Sequence, residues 1–274
     1  MDFTRRPELP KPSTQRTGSI KSTPLLDKLG ETKTLTGPSG VYTNLELLAE
    51  TGASFIYRAV KDGKRVVVKE IKHTKDLKVD ELAKREGDVG KQLEHINLVR
   101  YLDYFVIDGT SFVVSELVEG KSLRQMHEDG KEYTNGEITK IVGQILDGLV
   151  YLHTHFSSPI IHRDLKPENI LIENGTGRVV IVDLGYIHNK FSTGDTANVL
   201  ALNSPGFTAP ELLDPGAEIT PKADLYSFGA VYLFLLTGET ATYLTLEGNQ
   251  VPGDFDAKHR EVIEGCVQSE PSQH

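Results

Sequence analysis

Three side chains that could do chemistry stand close together in IHRDLKPENILI, at 161–172. Asp164 could accept or orient a proton, Lys166 could face negative charge, and Asn169 could bind a metal ion through its amide oxygen. A helical pattern of apolar residues precedes this stretch and a short strand pattern, NILIE, belongs to its end. We therefore expect the three side chains to share one loop between a helix and a strand.

The stretch DLKPEN resembles the catalytic loop of the eukaryotic-type (Hanks-type) protein kinase family. Lys166, two residues after Asp164, points to the Ser/Thr branch, because tyrosine-specific members usually carry other residues there. Five further motifs, some before and some after this stretch, stand in the order typical of the family, from about residue 45 to the end of the chain. They supply Lys69 in VVVK, Glu86 in REGDVGKQLEHI, Asp183 in VDLG, Glu211 in GFTAPE and Asp224 in DLYSFG.

The resemblance implies a catalytic set that works with ATP and Mg²⁺. Lys69 would contact the α- and β-phosphates, and an ion pair with Glu86 would hold its ammonium group in place. Asn169 and Asp183 would bind Mg²⁺, which prefers oxygen ligands. Asp164 would orient the attacking hydroxyl, because phosphoryl transfer depends on positioning and on neutralising charge.

Further implied roles belong to residues around this set. Lys166 would stabilise the transferred charge, Asp224 would brace the catalytic loop, and Glu211 would end the activation segment. The backbone of Glu116 and Val118 would receive adenine. The implied ATP-binding residues are Ala49, Thr51, Gly52, Ser54, Ile56, Val67, Lys69, Ser115, Glu116, Val118 and Leu171.

The loop expected to cover the phosphates, in LLAETGASFIYRAV at 47–60, departs from the family. Ala49, Thr51 and Ser54 stand where the family has three glycines, and Gly52 falls just after the second. Glycine allows backbone to approach phosphate closely, whereas Thr51 or Ser54 could donate hydroxyl hydrogen bonds. We expect a functional but stiffer loop with weaker ATP affinity; the alternative is an inert hairpin in a pseudokinase.

Other departures affect the elements that surround the site. Gly90 stands where the family has a bulky apolar side chain, and with Gly87 it predicts a helix that is weak in isolation and needs outside support. Ser115 predicts a small gatekeeper with an open pocket behind it. Val67 predicts a tight roof over adenine, and Leu184 replaces the phenylalanine that usually follows the metal-binding aspartate.

The segment between VDLG and GFTAPE carries candidate regulatory residues. Arg163, beside Asp164, marks the type of kinase in which a phosphorylated activation segment docks on arginine. Ser204 stands where Ser/Thr members usually have a threonine that contacts the catalytic loop. The candidate phosphorylation sites are Ser192, Thr193 and Thr196. The alternative interpretation of this segment is a polar, solvated loop.

Composition limits the classes of protein to consider. The net charge is −9 and the pI is about 5.5, which argues against a general binder of nucleic acid or anionic membranes. The single cysteine, Cys266, excludes an intrachain disulfide and a multi-cysteine zinc site, and it suits a cytoplasmic location. No run of eighteen apolar residues exists, so no membrane span is expected.

The order of strand and helix patterns predicts an α+β, bilobal protein kinase fold. Residues 1–44 are rich in Pro, Ser, Thr and Gly, and predict a flexible arm with or without a regulatory role. Residues 45–118 predict a small lobe with a five-stranded antiparallel sheet and one helix, and 119–274 predict a larger helical lobe. The last helices look shortened or absent, which would leave apolar surface at the base for a partner or a missing segment to cover.

The implied activity is transfer of the γ-phosphate of ATP to serine or threonine hydroxyls of a protein substrate. We also expect autophosphorylation, in the Ser/Thr-rich arm or in the activation segment. One alternative is a pseudokinase scaffold that binds nucleotide or partners without phosphoryl transfer. A kinase that acts on a small molecule or a lipid agrees less well with DLKPEN and APE.

Overall fold

The computed structural model describes residues 34–52, 54–72, 77–184, 204–214, 216–240 and 256–267, without the side chains of 77–80 and 82. Within this range a small β-rich lobe precedes a larger, mainly helical lobe. The expected α+β, two-lobed architecture is thereby confirmed. No helix of the described residues is long and apolar enough to cross a bilayer.

A six-stranded antiparallel sheet forms the small lobe, in the order β1-β2-β3-β4-β6-β5. Two of its hairpins turn at Asp62-Gly63 and at Asp108-Gly109, where all four residues have φ between 48° and 75°. Positive φ at both turn residues is the geometry of tight two-residue hairpins. The strands are β1 (Leu35–Gly37), β2 (Gly40–Glu50), β3 (Ser54–Lys61), β4 (Lys64–Ile71), β5 (Tyr101–Ile107) and β6 (Thr110–Glu116), and helix α1 (Leu77–Gly90) lies between β4 and β5.

The expectation of five strands was wrong, because β1 and the start of β2 add a strand from within 1–44. Leu35 and Tyr42 are fully buried in the core of the small lobe. The Tyr42 hydroxyl and the Ser39 N–H donate hydrogen bonds to the Asp103 carboxylate, at 2.8 and 3.0 Å. The partner residue lies about sixty positions away on β5, so composition around residue 40 could not reveal this pairing.

The large lobe is built on two central helices. Helix α3 starts with a capping box, in which the N–H of Glu137 and the N–H of Thr134 each donate to the other residue's side chain. Helix α4 is buried over most of its surface, which agrees with its nearly uniform apolar sequence KADLYSFGAVYLFLLT. The helices are α2 (Leu123–Glu128), α3 (Asn135–Thr154), α4 (Lys222–Thr237) and α5 (Ala257–Cys266).

A three-stranded antiparallel sheet, β7-β8-β9, carries the loops of the site. The stretch that holds Asp164 and Asn169 leads directly into β8, and the residue Asp183 comes shortly after β9. Because β8 and β9 are hydrogen-bonded neighbours, these two loops lie side by side. The strands are β7 (Gly120–Ser122), β8 (Ile170–Glu173) and β9 (Val179–Ile181).

Candidate active site

The catalytic loop holds Asp164 in a network of hydrogen bonds. Asp164 is 7 % exposed. Lys166 Nζ lies 2.7 Å from Asp164 Oδ2, and the Ser204 hydroxyl donates to Oδ1 at 2.8 Å. Lys166 Nζ also donates to Ser204 Oγ at 3.0 Å, so the three side chains form a closed triangle. These contacts fix the Asp164 carboxylate beside the Lys166 cation, in a position suited to accept a hydrogen bond from a substrate hydroxyl.

Asp224, on α4, supports this loop through hydrogen bonds to its backbone. Its carboxylate accepts hydrogen bonds from the backbone N–H groups of His162 and Arg163 and from His153 Nε2, each at 2.8 Å. Burial by itself raises the pKa of Asp224, but the hydrogen bond and charge of His153, together with the charge of His162 and the N–H of Arg163, outweigh burial and lower that pKa. Arg163 is held at φ +69°, a conformation that non-glycine residues rarely adopt without such support.

Lys69, on β4, lies between two carboxylates. Its Nζ is 2.5 Å from Asp183 Oδ1 and 3.3 Å from Glu86 Oε2. Burial lowers the pKa of the Lys69 ammonium, but the charges of Asp183 and Glu86 outweigh burial and raise that pKa. Lys69 therefore stays charged, and the expected pairing of Lys69 with Glu86 is present in the structure.

Asn169 and Asp183 have the donor chemistry of a Mg²⁺ pair. Asn169 Nδ2 donates to the backbone oxygen of Asp164 at 2.8 Å and to its Oδ2 at 3.0 Å. The amide group is thereby oriented, and its oxygen is the atom that remains for a cation. The Asn169 carbonyl accepts from the N–H of Val182 at 2.9 Å, which holds the two loops together next to Asp183. Oxygen donors from an amide and a carboxylate fit Mg²⁺.

A cavity of about 470 Å³ lies between the two lobes, a size typical of small-molecule sites. It is lined by both lobes, and its lining includes Ser115, Tyr101 and Glu86. The lining contains most of the residues that the sequence predicted for ATP and its phosphates: Ile56, Val67, Lys69, Glu86, Ser115, Glu116, Val118, Leu171 and Asp183.

A family model for the protein kinase domain matches residues 42–270. The chain belongs to the protein kinase family. Its two lobes, with the cavity between them, are therefore the lobes of a kinase domain. The match begins inside β2, so β1 of this kinase domain lies ahead of the matched region.

The kinase domain is similar to protein kinases from distant organisms. It is 32% identical over 227 residues to serine/threonine-protein kinase pkn3 of Myxococcus xanthus, covering 78% of this chain and 40% of that protein. It is 29% identical over 236 residues to serine/threonine-protein kinase B of Synechocystis, covering 80% and 40%. It is 29% identical over 201 residues to cell division control protein 2 homolog 3 of Trypanosoma brucei brucei, covering 72% and 63%. The aligned region spans less than two thirds of each relative.

The phosphate loop of the kinase differs from the arrangement that the resemblance implied. Ala49, Thr51, Gly52 and Ser54 do not line the described cavity. The hydroxyls of Thr51 and Ser54 lie 2.9 Å apart, and the Ser54 N–H donates to Thr51 Oγ1 at 2.9 Å. The polar groups of Thr51 and Ser54 therefore hydrogen-bond to each other across the turn between β2 and β3. A sequence window cannot distinguish hydroxyls that bind each other from hydroxyls that face a ligand.

The sequence missed more than half of the lining residues, and Leu48 and Tyr101 are two of them. Leu48, on β2, lines the cavity in place of the small residues that follow it. Tyr101, at the start of β5 and paired with Ser115 of β6, also lines the cavity. The strand pattern LVRYLDYFVI predicted β5 but gave no sign of which tyrosine faces the site, because a register irregularity between Tyr101 and Asp103 breaks the simple alternation of faces.

The regulatory candidates of the kinase fall into two groups. Ser204 contacts Asp164 as its position suggested, whereas Ser192, Thr193 and Thr196 lie outside the described residues. Glu211 is 5 % exposed, and its carboxylate finds no hydrogen-bond donor among the residues that the structure describes.

Proposed function

We propose that this kinase domain is an active protein Ser/Thr kinase that transfers the γ-phosphate of ATP, in the presence of Mg²⁺, to serine or threonine hydroxyls. The observation that carries the proposal is the complete polar set: Lys69, Glu86 and Asp183 line the cavity, and Asp164, Lys166 and Asn169 lie on the loop hydrogen-bonded beside Asp183. Asp164 is paired with Lys166, and Lys69 is paired with Glu86 and with Asp183. No member of this set is replaced by a residue that lacks the required group.

The side chains divide the chemistry between them. Lys69, charged and held between two carboxylates, would bind the α- and β-phosphates of ATP. Asp164 would accept a hydrogen bond from the substrate hydroxyl and direct its oxygen at the γ-phosphorus. Lys166, next to Asp164, would neutralise charge on the phosphoryl group during transfer. Mg²⁺, when bound by Asn169 and Asp183, would supply further neutralisation of phosphate charge.

Autophosphorylation is the direct test of this function. The protein is incubated with Mg²⁺ and γ-labelled ATP, and the labelled residues are mapped by mass spectrometry. We expect label on serine or threonine, none after chelation of Mg²⁺, and none in Asp164→Ala. The matched control is Asp147→Ala, because Asp147 is an exposed aspartate on α3 and should leave labelling unchanged. Absence of label in the wild type, together with no transfer to a generic protein substrate, would reject the proposal.

A pseudokinase scaffold is the second candidate, and the closed Thr51–Ser54 hairpin favours it. With these hydroxyls bound to each other, the loop has fewer groups for phosphate, and nucleotide affinity falls. Titration with Mg·ADP together with the labelling assay separates the candidates, since a scaffold that binds nucleotide transfers no phosphate. Replacing Thr51 and Ser54 together by glycine should tighten nucleotide binding if the loop closes on phosphate. Unchanged binding would support the inert hairpin.

The proposal extends to the substrate of the kinase and to its location in the cell. The family implies a protein substrate that carries serine or threonine. A cytoplasmic location agrees with the single cysteine.

A further inference from the structure

Two glycines of α1 lie against two tyrosine rings of β5. A Cβ atom added to Gly90 would lie 2.5 Å from Cγ of Tyr101, and one added to Gly87 would overlap Tyr104. The register irregularity between Tyr101 and Asp103 lets tyrosines three residues apart both face α1. The glycines that weaken α1 as an isolated helix therefore make room for rings that cross from the sheet.

The hydroxyl of Tyr101 joins two parts of the active site. It donates a hydrogen bond to Glu86 Oε1 at 3.0 Å and accepts one from the N–H of Leu184 at 2.9 Å. All three residues are buried. Glu86 holds Lys69, and Leu184 follows Asp183, which also holds Lys69.

We propose that Tyr101 is a positioning residue that holds α1 and the metal-binding loop in register, an inference that rests on the proposed phosphoryl transfer. The contacts form a closed ring, which runs from Lys69 to Glu86, Tyr101, Leu184, Asp183 and back to Lys69. An apolar side chain at position 90 would fill the same space without any bond to Glu86 or Leu184. In this chain the tyrosine does both: its ring fills the space and its hydroxyl aligns the charged groups.

The state of the hydroxyl suits this role. Burial, followed by the nearby charge of Glu86, raises the pKa of Tyr101 well above its ordinary value. The hydroxyl therefore keeps its proton for Glu86 while its oxygen accepts from Leu184. A phenol has one proton to donate and can accept further bonds, so the two contacts are compatible.

The test compares Tyr101→Phe with Tyr104→Phe. Both changes remove one hydroxyl from β5 and keep the ring, but the Tyr104 hydroxyl bonds Ser111, away from the charged groups. The kinetic readout is kcat and the KM for ATP on a generic protein substrate. We expect Tyr101→Phe to lower kcat about tenfold, because a hydrogen bond to a charged group is lost. The KM for ATP should change less than about twofold, since the adenine contacts remain, and Tyr104→Phe should match the wild type.

A second readout does not depend on activity. The protein is labelled with ¹⁵N-leucine, and hydrogen exchange at the Leu184 amide is followed by NMR. Tyr101→Phe should speed this exchange about tenfold or more, because the amide loses its acceptor. Tyr104→Phe should leave it unchanged.

The outcomes separate this proposal from the proposed function. A wild type that transfers no phosphate rejects the kinase activity, and exchange at Leu184 still decides whether Tyr101 holds the two segments together. Unchanged exchange in Tyr101→Phe overturns the proposal. A kcat that stays at the wild-type value, or that rises because the hydroxyl restrains an inactive arrangement, overturns it as well.

Discussion

Asp224, on α4, supports the catalytic loop through both oxygens of its carboxylate. Both of its oxygens accept hydrogen bonds, two from backbone N–H groups and one from His153. In Asp224→Asn one oxygen becomes an amide group that would face a donor. We expect a loss of about 3 kcal/mol in the free energy of unfolding, since a buried charged partner is removed. Urea denaturation at neutral pH measures the loss.

The control for this change is Asp147→Asn, on an exposed face of α3, which should shift the free energy of unfolding by less than about 0.5 kcal/mol. The pH dependence follows from the lowered pKa of Asp224. A depressed carboxyl pKa stabilises the fold above the unfolded pKa of about 4 and loses that stabilisation as pH falls below it. The difference between wild type and Asp224→Asn should therefore shrink below about pH 4. A constant difference would contradict the assignment.

The start of α3 depends on a short set of polar side chains. Hydrogen bonds from Lys131 and then from Thr134 lower the pKa of Glu137 from 4.5 to about 2. Because the folded-state pKa is depressed, Glu137 stabilises the helix above pH 4.5 and loses this effect as pH falls toward 2. Glu137→Gln should lower the melting temperature at neutral pH and match the wild type near pH 2.

Thermal melts at several pH values test this prediction. Glu132→Gln is the matched control, because Glu132 is an exposed glutamate five residues earlier and should leave the pH profile intact. If Glu137→Gln and Glu132→Gln give the same profile, the charge of Glu137 does not contribute to stability.

Helix α1 is where local preference and tertiary packing disagree. Alanine in place of a helical glycine favours a helix by about 0.5–1 kcal/mol when space allows. Gly143, on α3, has no atom within 4 Å of an added Cβ, whereas an added Cβ on Gly90 would meet the ring of Tyr101. We expect Gly143→Ala to raise stability by about 0.5–1 kcal/mol, and Gly90→Ala to lower stability and phosphate transfer.

Urea denaturation and the labelling assay measure both variants of this pair. Because both variants replace a helical glycine by alanine, the difference between them measures the packing against the tyrosine ring and not helix propensity. Equal stabilisation by the two alanines would mean that α1 moves freely away from Tyr101, and that the ring does not fix its position.

At the scale of the whole molecule, the described residues form two hydrophobic clusters, and β1 belongs to the one in the small lobe. Leu35 is 1 % exposed in that cluster, which also contains Phe105 and Phe112. Leu35→Ala should cost about 2–5 kcal/mol, as buried leucines usually do. Hydrogen exchange should speed up in β4 and β6 while α4, in the other cluster, keeps its protection.

Val41→Ala is the control at this scale, because Val41 is 48 % exposed on the neighbouring strand. It should cost less than about 1 kcal/mol. If Leu35→Ala costs no more than Val41→Ala, β1 does not contribute to the stability of the small lobe. The stable part of the lobe would then begin near residue 45, as the sequence predicted.

The sequence by itself determined the catalytic loop and the order of the motifs. Asp164, Lys166 and Asn169 stand on one loop, so their short spacing is visible in the chain. Lys69 and Asp183 were each found by a local motif, VVVK and VDLG, although they meet across 114 positions. Strand and helix patterns likewise predicted the two lobes, because alternation and helical spacing are local properties.

Only the tertiary structure decided which residues meet across the fold. Tyr42 meets Asp103 across 61 positions, and Tyr101 meets Leu184 across 83. No local pattern encodes such pairs, because they depend on how whole elements pack after the chain has folded. Gly90 illustrates the difference. In the sequence this glycine indicated a weak helix, and the structure shows that its missing side chain leaves space for the Tyr101 ring. The physical reason is that spacing along the chain sets local geometry, whereas packing sets the partners.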